Sequence, residues 1–192
     1  TDRFSPTMLA AVESGSYEAA EHALLEELLS PGDRLLELGA GCGYLATVAA
    51  QRLGSESVVT VEADPQMEAT IRKTFALNSV SPRLVVGSVA GSAEPRQVVR
   101  AEDFWRATTI PGGAEPALTL SDLVAEHSPT VVLCDIEGGE GELCGTALPG
   151  VRAVIIEVHS GALREQVESW LTAEGYRLDR AQGHTLAFLR AA

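Results

Sequence analysis

The sequence predicts an α/β domain built on a mostly parallel β-sheet with helices on both faces. Three observations carry this. Strand-like and helix-like segments alternate along almost the whole chain; an apolar strand near Leu35–Leu38 runs into the closely spaced glycines Gly39, Gly41 and Gly43; and a helical pattern starts at once after them. Right-handed crossovers between parallel strands put all strand carboxyl ends on one edge, so ligand and chemistry are expected to share that edge. A length of 192 residues fits one domain over 1–192 and leaves little room for a second.

Apolar positions Ala20, Leu24, Leu25, Leu28 and Leu29 at helical spacing predict a helix over 16–30, ended by the Pro31-Gly32-Asp33 turn. After the first strand and a helix over 43–53, a short β-rich run spans 57–62. Asp64 then reads as an N-cap with Pro65 in the first helical turn. A third strand is expected at 83–89, a short helix at 122–126, and buried strands at 130–136 and 151–159. A helix over 163–174 stops near Gly175, and two alternating runs broken at Gly183 predict an antiparallel hairpin that finishes the sheet. The stretch 90–116, rich in Gly and Pro around Phe104 and Trp105, is too long for a plain connection. It reads as a substrate-covering insertion or as an extra hairpin.

A formal charge of −13 with no cluster of Lys or Arg argues against nucleic acid as a partner. Cys42, Cys134 and Cys144 contain no Cys-x-x-Cys pair, which indicates neither a disulfide framework nor a zinc site, and no metal ligands are assigned. No apolar run is long enough for a membrane span and no basic-then-apolar leader is present, so a cytoplasmic location is expected.

The glycine turn points to a nucleotide-like cofactor. Glycines at 39, 41 and 43 allow a sharp turn and close approach of a ligand to the backbone. A dinucleotide fingerprint requires its third glycine one residue later, where Tyr44 stands. Glu37, inside the strand end, would also repel a pyrophosphate, whereas it can bond an amino acid ammonium and favour a nearby sulfonium. S-adenosylmethionine therefore fits better than NAD. The expected binding residues are Glu37, Gly39, Ala40, Gly41 and Gly43 at the turn. Glu62 is placed for the ribose hydroxyls with Ala63 beside it, and Gly87 and Ser88 for the adenine. Glu62 has a plainer reading as a solvated strand-end acid, and the glycine turn as mere loop punctuation after a strand.

Asp135-Ile136-Glu137-Gly138-Gly139-Glu140 is the densest acidic group near a strand end, and Gly138 and Gly139 let the backbone turn before a short helix. With the glycine turn, the Val61–Pro65 strand end and Ile156-Glu157-Val158-His159, these residues resemble class I S-adenosylmethionine-dependent methyltransferases, and more narrowly the FkbM-type family. The resemblance covers the chain from about Tyr17 onward. It departs from the FkbM pattern at Glu37, Gly41 and Leu133-Cys134, where that family usually has Asp, Asn and a nearby lysine.

The resemblance implies a Rossmann-like seven-stranded sheet with an antiparallel last strand. It also implies methyl transfer to a hydroxyl of a small-molecule acceptor, such as a sugar or natural-product scaffold, with the Ser16-Tyr17-Glu18 entry to the first helix over the methionine end of the cofactor. Such an acceptor must lose a proton, so Asp135 and His159 are the candidate bases, with Glu137 and Glu140 as orienting groups. A divalent cation held by several of these carboxylates is an alternative to a base. Two rival readings remain: an NAD-dependent oxidoreductase, and a non-catalytic cofactor-binding domain of a larger assembly.

Overall fold

The computed structural model describes residues 5–100 and 107–191, so Phe104 and Trp105 lie outside the described residues. In chain order the elements of the main body are helices α1 (Pro6–Ser14) and α2 (Ala19–Leu28), strand β1 (Leu35–Leu38), α3 (Tyr44–Leu53), β2 (Val58–Glu62), α4 (Glu68–Leu77) and β3 (Arg83–Val86). After an insertion with β4 (Ser88–Ala90), β5 (Arg96–Val99), β6 (Thr108–Pro111) and β7 (Ala117–Thr119) come α5 (Leu120–His127), β8 (Val131–Cys134), β9 (Ala153–Glu157), α6 (Gly161–Ala173), β10 (Tyr176–Gln182) and β11 (Thr185–Arg190).

Seven strands form one sheet in the order β10-β11-β9-β8-β1-β2-β3. β1 is an interior strand, with Leu35 in register with Val58 of β2 on one side and Val131 of β8 on the other, both parallel. Only β11 runs against its neighbours β9 and β10, so the expected antiparallel last strand slots between them and leaves β10 at the edge.

Strand alternation divides the core in two. Leu36 and Leu38 of β1 face α5 and α6, where Leu123, Val124, Val167 and Leu171 are buried. Leu35 faces the other way, into the apolar side chains of α2, α3 and α4, including Leu24, Leu25, Ala46, Ala49 and Ile71.

Three elements differ from the sequence reading. α1 was not expected; it is capped by Ser5, whose hydroxyl accepts from the Met8 N–H at 3.2 Å, and it ends at Gly15 with φ 71°. α2 starts later than residue 16, after Glu18 in a left-handed conformation (φ 49°). The strand expected at 83–89 splits at Gly87, whose N–H donates to Glu62 O while the next N–H, of Ser88, donates to Pro116 O. There the chain exchanges β2 for β7 as its partner.

The insertion contains a hairpin, β5 paired with β6, next to the parallel pair β4 and β7. Two arginines pin it to the body. Arg96, 4 % exposed, donates to both carboxylate oxygens of Glu142 at 2.7 and 3.1 Å, and Arg100 grips Asp64 in the same fork at 2.6 and 2.9 Å. Among the described residues no helix is long and apolar enough to cross a membrane.

Candidate active site

The turn after β1 is laced to β2: the N–H groups of Gly39 and Ala40 both donate to Val61 O, at 2.9 and 3.0 Å. Gly39 has φ +92°, and a Cβ there would stand 1.7 Å from the Asp135 carbonyl oxygen. The glycine is thus required by the protein's own backbone leaving β8. At Gly43, the N-cap of α3 with φ 83°, a Cβ would come within 2.9 Å of the Phe75 ring. Gly41, at φ 56°, donates its N–H to Glu62 Oε2 at 3.1 Å.

An enclosed cleft opens along the strand carboxyl ends. Its walls include Tyr17, Gly39, Gly41, Glu62, Ala63, Gly87, Asp135 and Glu137, all expected from sequence. Glu62 Oε1 also accepts from the Asp64 N–H at 2.8 Å. Burial lifts its carboxyl to about 7, against the opposing pull of the backbone donors at Asp64 and Gly41.

Four residues expected to touch the cofactor, Glu37, Ala40, Gly43 and Ser88, do not line this cleft, and all four are buried. For Glu37 the reason is parity. It sits on the same face of β1 as Leu35, so it enters the core beneath α3, 1 % exposed, where it accepts from the Thr60 hydroxyl. Burial raises its carboxyl to about 8, the Thr60 bond opposing. Ala40 packs into the same core. Ser88 is fully buried because Gly87 and Val89, on either side of it, face the cleft.

Glu18, in the helix entry expected over the methionine end, is also on the wall, whereas Val61, Val89, Val98, Ala107, Thr108, Thr109, Ile136 and Gly139 were not assigned from sequence. Val98 and Thr109 are register partners in the β5–β6 hairpin, so the insertion covers this enclosed cleft. For these hairpin residues the only signal was the length of the insertion, whereas Val61, Ile136 and Gly139 sit inside the strand-end motifs already quoted.

A second, open groove of about 710 Å³ runs between α1, the start of α2 and the β10–β11 turn. It shares Tyr17, Glu18, Asp135 and Glu137 with the enclosed cleft and adds Glu157, His159 and His184. At the junction His159 Nε2 lies 3.6 Å from Asp135 Oδ1, 3.3 Å from Glu137 Oε2 and 3.8 Å from Glu157 Oε2. The other ring nitrogen, Nδ1, is 2.8 Å from Oε1 of Glu140, whose side chain is fully buried. That bond, reinforced by the surrounding acids, raises His159 to about 9. At pH 7 the ring is an imidazolium, a charge partner for the acids rather than a ready proton acceptor. Asp135 is held well above the usual carboxylate range, first by burial and then by the charges of Glu157 and Glu137. The four residues expected to carry chemistry, Asp135, Glu137, Glu140 and His159, therefore do converge.

Known proteins bear on this arrangement. Residues 8–92 match the family model of protein-L-isoaspartate(D-aspartate) O-methyltransferase. A ribosomal protein L11 methyltransferase from Geobacter metallireducens is 36 % identical over 118 residues, which cover 56 % of this chain and 38 % of the relative. Among solved structures, precorrin-6y C5,15-methyltransferase from Geobacter metallireducens GS-15 superposes with a TM-score of 0.58 at 13 % identity, over 91 % of this chain and 88 % of that one. Magnesium protoporphyrin IX methyltransferase from Synechocystis PCC 6803, solved with bound S-adenosylmethionine, gives 0.53 at 15 % identity over 94 % and 81 %. The chain has the class I S-adenosylmethionine-dependent methyltransferase fold.

S-adenosylmethionine, the cofactor expected from sequence, agrees with this fold. The narrower FkbM-type resemblance at Asp135–Glu140 lies outside the matched residues 8–92 and is not supported by these matches. The chain spans less than two fifths of the length of the L11 relative. The expected small-molecule acceptor is overturned: the matching family and the L11 relative are both named for protein acceptors. The physical reason is that the glycine turn and strand-end acids specify a donor site, whereas the acceptor is chosen by surfaces outside those motifs.

Proposed function

We propose that this chain transfers the methyl group of S-adenosylmethionine to a side chain of a protein acceptor. The observation that carries the reading is the junction of the two clefts. An enclosed one, walled by glycine backbone and Glu62, meets an open groove at Tyr17, Glu18, Asp135 and Glu137. The donor belongs in the enclosed cleft, with its ribose at Glu62, its adenine beside Gly87 and its methionine end toward Tyr17, Gly39 and Gly41. The groove, about 710 Å³ and open, would take a polypeptide segment whose side chain reaches inward to the methyl group. Methyl transfer from a sulfonium is an in-line displacement, so alignment is the main task, and orientation supplies up to about 7–11 kcal/mol of such barriers. Asp135, Glu137 and His159 stand where the incoming nucleophile must be aligned and its charge managed.

Calorimetric titration with S-adenosylmethionine, S-adenosylhomocysteine and NAD tests the donor, with the two adenosyl-sulfur ligands expected to bind and NAD not. Incubating a cell extract with methyl-labelled donor tests the acceptor. Label is expected in protein bands; label confined to the low-molecular-weight fraction sinks the acceptor assignment, and preference for NAD sinks the donor.

A further inference from the structure

The geometry points to a divalent first-row metal ion held by Asp135, Glu137 and His159 at the junction of the two clefts. One carboxylate oxygen from each acid and a ring nitrogen of His159 lie within 4.8 Å of one another. The separations from Nε2 to Asp135 and Glu137, 3.6 and 3.3 Å, exceed the roughly 2.7–3.2 Å of N–H···O bonds. They are nearer the spacing of neighbouring ligands about 2.1 Å from one shared ion, which stand roughly 3.0–3.4 Å apart.

Two further observations, independent of the clustering, point the same way. Asp135 Oδ1 is shielded from solvent and accepts no hydrogen bond from the described residues; His159 Nε2 faces it at 3.6 Å, too far to donate, which leaves a costly unmet acceptor that a bound ion would satisfy directly. Behind the ring, fully buried Glu140 holds Nδ1 at 2.8 Å and is itself fixed by the Gly138 N–H at 3.2 Å. A carboxylate behind a ligating histidine orients the ring and directs the other nitrogen at a metal. Glu157, 3.8 Å from Nε2, supplies further negative charge. One imidazole with two carboxylates suits Mn²⁺, Fe²⁺ or Zn²⁺ better than Mg²⁺, which prefers oxygen ligands and retained water.

Three protein ligands leave coordination positions open toward the groove. Taken with the methyl-transfer reading, on which this last step rests, the ion would bind an oxygen of the acceptor and raise its acidity. The methyl carbon then leaves sulfur, whose bonding electron pair stays behind as a thioether, and forms its new bond to that oxygen. A hydroxyl acceptor releases its proton to water, and the ion keeps its oxidation state.

Titrating metal-stripped protein with Mn²⁺, read by electron paramagnetic resonance and calorimetry, is expected to show one saturable site per chain. Asp135→Asn and His159→Ala should weaken it at least tenfold, and Glu140→Gln about tenfold, the usual effect of removing a carboxylate that supports a ligand. Nitrogen hyperfine coupling to the bound Mn²⁺ should vanish in His159→Ala. Absence of saturable binding to the wild type, or binding unchanged in all three folded variants, overturns the site. Titration of the same samples with S-adenosylmethionine keeps the readings apart. Donor binding without Mn²⁺ binding removes only the ion, and Mn²⁺ binding without donor binding removes only the methyl-transfer reading.

Discussion

The two edges of the sheet treat buried acids in opposite ways. At the amino edge Asp33 is 6 % exposed and fully matched. Arg152 donates to both of its oxygens, the Thr130 hydroxyl donates to one at 2.8 Å, and the Ser30 N–H to the other at 2.7 Å. Burial pulls its carboxyl upward, but these donors outweigh that and leave it below its ordinary value. At the carboxyl edge Glu37, Glu62 and Asp135 are all raised, burial being the largest cause each time. The ion pairs that Asp135, Glu140 and Glu157 make among the described residues are with His159. Where charge is matched by an arginine fork the acid staples strands together. Where an oxygen finds no donor among the described residues, as at Asp135 Oδ1 and Glu140 Oε2, the fold holds stress that a ligand can relieve, which is the expected signature of a functional edge.

The largest effect expected within this contrast is at the turn. Gly39→Ala forces a Cβ onto the Asp135 carbonyl at φ +92°, and should cost more than about 4 kcal/mol or prevent folding. Urea denaturation measures it, and a near-native variant would show that β8 leaves the sheet differently. Next, Arg152→Ala should lower stability at pH 7 by about 1–3 kcal/mol, because Asp33 stays buried with its main donor gone. The penalty should fade in acid, since a lowered carboxyl contributes stability above its unfolded value near 3.9 that is lost as pH drops through the folded one. A loss of equal size at pH 3 would assign the effect to packing instead.

At the opposite edge, Glu62→Ala should weaken donor binding about 10–100-fold, the equivalent of one charge-assisted pair of hydrogen bonds. A folded variant that binds the donor like wild type ends the ribose assignment. The smallest effect concerns Glu37, whose folded value of about 8 exceeds its ordinary 4.5. Its protonated form is the one the fold favours, so its contribution is complete below 4.5 and is lost as pH rises through about 8, the reverse of Asp33. In Glu37→Gln the melting temperature should therefore fall less steeply between pH 5 and 8 than in wild type. An unchanged slope would place the titration elsewhere.

Much of this was legible in the chain. Strand–glycine–helix spacing located the turn, and the acid about twenty residues on, Glu62, does reach the cleft and meet Gly41. Asp135, Glu137, Glu140 and His159 lie on two segments that the sheet brings side by side, as parallel strand ends must. What could not be read was direction. Glu37 and Ser88 have suitable chemistry and sequence positions, yet strand alternation turns both away from the cleft. Gly39 was read as clearance for a ligand; it lines the cleft, and it is also clearance for the Asp135 carbonyl. The insertion was recognised by length alone, while its arginine anchors to Glu142 and Asp64 join residues 46 and 36 positions apart in the chain, a separation that local patterning does not report.

By itself the sequence determined the α/β class, the edge on which ligands bind and the residue types gathered there, because hydrophobic period and glycine placement are local properties of the chain. Only the tertiary structure decided which of those side chains face the cleft, which acids find an arginine, and that His159 stands among four carboxylates. These depend on the parity of each strand, the crossing of β8 under the glycine turn, and the low polarity of an interior that amplifies any unmatched charge.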